Sequence, residues 1–267
     1  MLRLKKDLWT SRIINGSAAP GSTSLHLITF EYLYLLLEIL MSPPGSSRAG
    51  STASAPPIDD NVPSRVYNIT NQFFRRHYGI NSADGQPLFY GEVSEFTPNK
   101  PDLILHAGTS SKGPIVAVSK FAKSSGDYKI GIGNPDNVNS VQWEDMTKEL
   151  IRKPKYRFEM TVQCESDQTQ TGRRSFLWKR TRTIGVEDSA PSKWTGQNYK
   201  LVDEHTEQLL AVFSGATGLD RGGKLQIRVE YGEDFDRMVL VTCLSLYEKA
   251  KRRKHRAGGG GGGGGGG

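Results

Sequence analysis

The stretch that most constrains this chain lies near its end. From Phe235 to Tyr247 (FDRMVLVTCLSLY) the side chains become almost continuously apolar, and after Met238 only Thr242 and Ser245 interrupt the run. Wound as a helix, this segment is apolar on every face, and such a helix has to be buried on all sides. It would be about 20 Å long, too short to cross a bilayer. Val239, Val241 and Thr242 are β-branched, so a buried strand is the competing reading. The flanks favour the helix. Asp234 and Asp236 suit a helix N-terminus, no Gly or Pro occurs from Phe235 to Ala257, and the far end is basic.

Before this segment the pattern is that of short strands between turn residues. The runs are Arg65–Thr70, Phe73–Tyr78, Leu88–Phe96, Leu103–Ala107, Ile115–Ala122, Tyr128–Ile132, Val141–Leu150, Tyr156–Val162, Ser175–Thr183, Tyr199–Val202, Leu209–Phe213 and Lys224–Tyr231. Val141–Leu150 is ambiguous and admits a helical turn, whereas Leu225, Ile227, Val229 and Tyr231 share one face of a half-buried strand. About a dozen strands with regular turn signals imply an antiparallel sandwich or barrel. A mainly β chain that also holds one helix apolar all round is reconciled by a closed antiparallel barrel of about twelve strands around a buried hydrophobic C-terminal helix.

Charge divides the chain. Residues 249–256 carry six Lys/Arg and no acid, residues 1–40 have a net charge of +1, and residues 41–248 are neutral. A neutral body argues against the broad phosphate footprint of a duplex-binding protein. Cys164 and Cys243 alone make no disulfide framework, which favours a reducing, cytoplasmic setting. Leu25–Met41 is apolar downstream of Arg3, Lys5, Lys6 and Arg12, the order of a signal peptide or anchor. Glu31 and Glu38 lie inside that run, however, each costing about 3 kcal/mol at membrane depth. Residues 1–40 are therefore read as a doubtful extension before a start at Met41, with an interfacial helix second and a cleaved signal third. Residues 41–63, rich in Ser, Pro and Gly, read as a disordered leader, residues 64–256 as the barrel domain, and 257–267 as a poly-Gly tail.

Catalytic motifs are not apparent. Gly218-Leu-Asp-Arg-Gly-Gly-Lys224 resembles a phosphate loop, but Leu225 replaces the Ser or Thr that such a loop needs, and a strand follows it. It reads as a hairpin turn, and Gly131-Ile-Gly133 as another. His77, His106 and His205 lack metal-ligand spacing, and His106 reads as a hydrogen-bonded core residue. Asp59-Asp60 and Glu144-Asp145 read as solvated pairs. The chain is accordingly read as non-enzymatic and monomeric, with no cofactor, metal or small-molecule substrate.

Two basic features stand out. The first is Arg173, Arg174, Lys179, Arg180 and Arg182 around Phe176 and Trp178, where Phe176, Trp178, Arg180 and Arg182 share a strand face. The plainer reading is a strand with an apolar half in the core and a solvated basic end. The second is Lys249, Lys251, Arg252, Arg253, Lys254 and Arg256, which reads either as a solvated helix end or as an anion-binding tail.

The runs Phe176-Leu-Trp-Lys-Arg-Thr181, Asn198-Tyr-Lys-Leu-Val-Asp203, Leu210-Ala-Val-Phe213, Gly223-Lys-Leu-Gln-Ile227 and Tyr247-Glu-Lys-Ala-Lys-Arg-Arg253 together resemble the uncharacterised fungal Tubby C-terminal-like proteins, kin to Tubby and the LURP-one-related proteins. The resemblance covers about residues 64–256 and implies a twelve-stranded barrel around a central C-terminal helix. In Tubby the domain binds phosphoinositides through basic residues, and related proteins act as lipid scramblases. No motif here matches Tubby's lipid-contacting residues one by one. The expectation is a module binding anionic membrane lipids, peripheral at a membrane, through the basic residues named above. The alternatives are a nuclear or nucleic-acid-associated regulator using the same tail and, third, a scramblase-like membrane protein.

Overall fold

A computed structural model of the chain describes residues 64–258, apart from 72–76, 96, 99, 138, 152, 165–166, 188–190, 192–196 and 217–221. Side chains are described for the same residues except 150, 151, 164, 167–170 and 255–258. The readings of residues 1–63, of the hairpin tip at 218–221, of the tail beyond 258 and of the Cys164 and Arg256 side chains lie outside the described residues.

Twelve strands form a closed antiparallel barrel: β1 (Arg65–Thr70), β2 (His77–Ser82), β3 (Pro87–Val93), β4 (Leu103–Ala107), β5 (Ile115–Phe121), β6 (Tyr128–Ile132), β7 (Gln142–Ile151), β8 (Lys153–Cys164), β9 (Asp167–Arg180), β10 (Tyr199–Asp203), β11 (Leu209–Gly215) and β12 (Gly223–Ile227). Each strand pairs with its neighbours in sequence, and β1 closes the ring on β12 with Arg65 opposite Ile227 and Tyr67 opposite Leu225. The helix α1 (Glu233–Gly258) follows. Eight strands make a barrel just wide enough for side chains to fill, so twelve leave room for more. A helix about 10–12 Å across with its side chains is of the size such an interior needs.

α1 is that filling, and the helix reading of this segment holds. Phe235 packs at ring distances of 5.4 Å on Phe176 of β9 and 5.1 Å on Tyr231, while Tyr247 sits between Tyr78 of β2 at 6.1 Å and Phe213 of β11 at 5.5 Å. Every side chain from Met238 to Glu248 is buried. The two polar interruptions are satisfied locally, because Thr242 Oγ1 donates to Met238 O at 2.7 Å and Ser245 Oγ to Val241 O at 2.6 Å. Thr242 Oγ1 also accepts from Trp178 Nε1 at 3.0 Å, tying mid-helix to β9.

Both helix ends are pinned. At the first mouth, Arg65 bonds both oxygens of Asp236 at 2.6 and 2.8 Å, Tyr67 Oη donates to Asp236 at 3.0 Å, and Arg65 also reaches Glu230. At the second, Tyr78 Oη donates to Glu248 at 2.5 Å, and Arg252 bridges Glu248 to Asp102. This second mouth carries the connections β3–β4, β5–β6 and β9–β10.

Some boundaries differ from the sequence reading. Val141–Leu150 forms no helical turn, and from Gln142 onward it belongs to β7. The second strand is His77–Ser82, later than Phe73–Tyr78, of which 73–76 lie outside the described residues. The last strand ends at Ile227, so Val229 and Tyr231 do not continue its face, although both are buried. They turn the chain inward, and Tyr231 packs edge-on against Phe235. Glu144 and Asp145 are not a solvated pair, since Glu144 is buried on Arg173 while Asp145 is exposed. His106 is buried, with Nδ1 2.9 Å from Gly113 O.

Candidate functional site at the helix C-terminal mouth

The structure sorts the basic candidates into two groups. In the first, each cation is already engaged by the fold. Arg173 takes both oxygens of Glu144 at 2.8 and 2.7 Å and lies 3.3 Å from Glu159, and its bonding to Glu144 raises an already high pKa. Arg174 donates to Tyr231 Oη at 2.8 Å, 3.9 Å from Asp203, at the first mouth. Lys179 pairs with both oxygens of Glu207 at 2.8 and 2.7 Å. Arg252 is held by Asp102 at 2.9 Å, Ser94 O at 3.0 Å and Glu248 at 3.1 Å, with its side chain only 12% exposed. Lys251 is 3.6 Å from Glu248 and 5.7 Å from the Tyr78 ring centroid. A cation whose charge is spent on a carboxylate has little left for a ligand. Phe176 and Trp178 are buried while Arg180 and Arg182 are exposed, as in the plainer reading of this strand. Antiparallel alternation and the pitch of the strand send Arg173 and Arg174 to separate partners, and Arg182 lies beyond the end of β9.

The second group gathers at the second mouth. Arg180 ends β9 directly opposite Tyr199, which opens β10, and its guanidinium lies 5.9 Å from that ring with its charge bearing on the Tyr199 hydroxyl. Arg253 emerges exposed from α1, and its charge bears on both the Tyr199 and Tyr128 hydroxyls. Lys249 stands 4.4 Å over the Tyr128 ring and 5.9 Å from that of Phe121. Its pKa is lowered, first by burial and then by Arg253, with Asp127 opposing. Arg182 and Lys254 are exposed. The end of β9 and the end of α1, distant in sequence, therefore converge on Tyr199.

Sequence reasoning missed three tyrosines. Tyr128, Tyr156 and Tyr199 are buried beneath these cations, with the Tyr128 and Tyr156 rings 6.0 Å apart, edge to face. Burial is the chief cause that pushes Tyr128 and Tyr199 above the ordinary phenol pKa, and the neighbouring Tyr156 hydroxyl adds to it. A signal was available: Tyr128 and Tyr199 are the first residues of β6 and β10, and a meander brings the starts of alternate strands to one mouth.

A concavity of about 200 Å³ lies on the barrel wall between Thr70, His77, Gly79, Asn81 and Tyr90. The His77 and Tyr90 rings stack there at 5.0 Å. It holds none of the basic candidates.

No protein-family model matches the chain, and no curated protein matches its sequence. Among solved structures it is similar to an X-ray structure of a protein from Arabidopsis thaliana, at 11% identity and a TM-score of 0.37, covering 68% of this chain and 91% of that one. Among the described residues no helix is long and apolar enough to cross a membrane, and no cluster of His, Cys, Asp and Glu is arranged to hold a metal ion.

Proposed function

We propose that this chain is a non-enzymatic binding module of the Tubby C-terminal-like kind, which docks its second barrel mouth on anionic membrane surfaces and prefers phosphoinositides. One observation carries the reading: two basic segments far apart in sequence converge on one mouth, where Arg180, Arg182 and Arg253 face outward with no carboxylate paired to them among the described residues. Of the basic candidates named from the sequence, Arg173, Arg174, Lys179, Lys251 and Arg252 lie within 4 Å of carboxylates, which leaves the charge of Arg180, Arg182 and Arg253 to act at this mouth. Near an anionic leaflet each such charge is worth about 1 kcal/mol.

The test is co-sedimentation of the full chain with vesicles of neutral lipid, of phosphatidylserine and of phosphoinositide. The Arg180→Gln/Arg253→Gln variant should bind phosphoinositide vesicles about 30-fold more weakly, the equivalent of two surface charges. The Arg173→Gln variant, which alters a cation already paired, should bind as the parent does. Equal binding by all three proteins would remove the mouth from the mechanism. Retention on nucleic acid without vesicle binding would favour the nuclear alternative.

A further inference from the structure

Resting on that reading, and deepening it, we infer that the second mouth holds a discrete site for a phosphate monoester, built from the hydroxyls of Tyr128, Tyr156 and Tyr199 with the guanidiniums of Arg180 and Arg253. The residues come together by register. Trp178 of β9 pairs with Tyr156 of β8 on one side and Leu201 of β10 on the other, so Arg180, two residues on, lies diagonal to Tyr156 and directly opposite Tyr199. Tyr128 completes the set from β6 through its edge-to-face contact with Tyr156. Arg253, on the helix, is near enough for its charge to bear on the Tyr128 and Tyr199 hydroxyls.

Three properties make this a ligand site as well as a charged rim. First, Tyr128 is 2% exposed, yet its hydroxyl has no hydrogen-bond partner. A buried O–H left unpaired is costly, and an incoming acceptor would relieve it. Second, the set is rich in donors and poor in acceptors. Asp102 and Glu248, the carboxylates beside the helix end, are occupied by Arg252 and Tyr78, and Asp127 accepts from the Lys148 backbone N–H at 2.7 Å. Third, burial keeps Tyr128 and Tyr199 protonated well beyond neutral pH, so their hydroxyls remain donors. Phenol O–H groups and guanidinium forks together match the three acceptor oxygens of a phosphate monoester, where guanidiniums alone would attract any anion.

The experiment is calorimetric titration of the full chain with two soluble probes, inorganic phosphate and inositol trisphosphate, beside the vesicle assay. Saturable binding of inositol trisphosphate is expected, weakened about tenfold or more in Tyr199→Phe and in Tyr156→Phe. Both variants keep every charge and the aromatic packing, and circular dichroism confirms their fold. If inorganic phosphate saturates the site equally well, the site takes free phosphate and the headgroup adds nothing. Either probe binding with sensitivity to the Tyr→Phe variants supports the site. Binding unchanged by both variants, or no saturable binding of either probe, overturns it. Vesicle binding that survives such a failure would leave the membrane reading standing on charge alone, while saturable phosphate binding without vesicle binding would overturn the membrane reading and keep the site.

Discussion

Replacing Thr242 by Val removes one hydroxyl from the centre of the barrel and almost nothing else. The two side chains have the same shape, and their helix propensities are close. In the parent, Thr242 Oγ1 accepts from Trp178 Nε1 at 3.0 Å while donating to Met238 O, and both residues are fully buried. The variant strands the indole N–H where neither water nor another acceptor reaches it, a cost of about 1–3 kcal/mol. In a Trp178→Phe background that donor is gone, so the same substitution should cost at least about 1 kcal/mol less. The assay is urea unfolding followed by far-ultraviolet circular dichroism, since removing a tryptophan compromises fluorescence. The midpoint should fall with no change in slope, because the exposed area is unchanged. An unshifted midpoint in Thr242→Val, or an equal loss in both backgrounds, would refute the seating of this helix face against β9.

Other consequences follow from the packing and the charges. Arg252→Ala leaves Glu248 and Asp102 without their shared cation and should cost about 3 kcal/mol in the same unfolding assay, as for a mostly buried ion pair. A Cβ at Gly131 would lie 3.0 Å from Trp143, Val118 and Val141, so Gly131→Ala should destabilise by about 1–3 kcal/mol through overpacking of the outer wall. Tyr67, Tyr78, Tyr128 and Tyr199 all have raised pKa values with burial as the largest cause, so the folded state keeps their protons when the unfolded chain begins to lose them. The stability they contribute is complete below about pH 10 and drains away as pH rises further. The lowered pKa of Lys249 acts in the opposite sense just below that range, but it is one half-exposed group against four phenols. The absorbance of these four, out of the ten tyrosines in the chain, should therefore appear only together with unfolding, and a tyrosinate signal of all ten in the folded protein near pH 10 would contradict these burials.

Much of the fold was legible because its periodicities are local. Arg65–Thr70, Leu103–Ala107 and Tyr128–Ile132 are strands with the bounds read from sequence, and the all-round apolar helix dictated something that encloses it. The reading of β2 stopped at Tyr78, short of its end at Ser82, because Gly79 and Asn81 interrupt its apolar pattern. β8 and β9 extend beyond the apolar core into polar residues, where alternation carries no hydrophobic signal. The candidate site was half legible. Charge runs marked Arg180 and Arg253, but the carboxylates that occupy Arg173, Lys179 and Arg252 come from other strands and loops. Which cations stay free is decided by barrel register, as is the meeting of three tyrosines from β6, β8 and β10, and register is written in no single segment.

The most direct test is to find which mouth meets the membrane. An environment-sensitive fluorophore would be attached to Ser125→Cys, on the exposed β5–β6 connection where Lys249 Nζ lies 3.4 Å from the Ser125 carbonyl, and separately to Ser110→Cys, on the exposed β4–β5 connection at the opposite mouth. Cys164 would be replaced by Ser, and Cys243 is buried inside the barrel. Adding phosphoinositide vesicles should shift the emission of the label at 125 to the blue and leave the label at 110 unchanged. A shift at 110, or at neither position, would contradict the account.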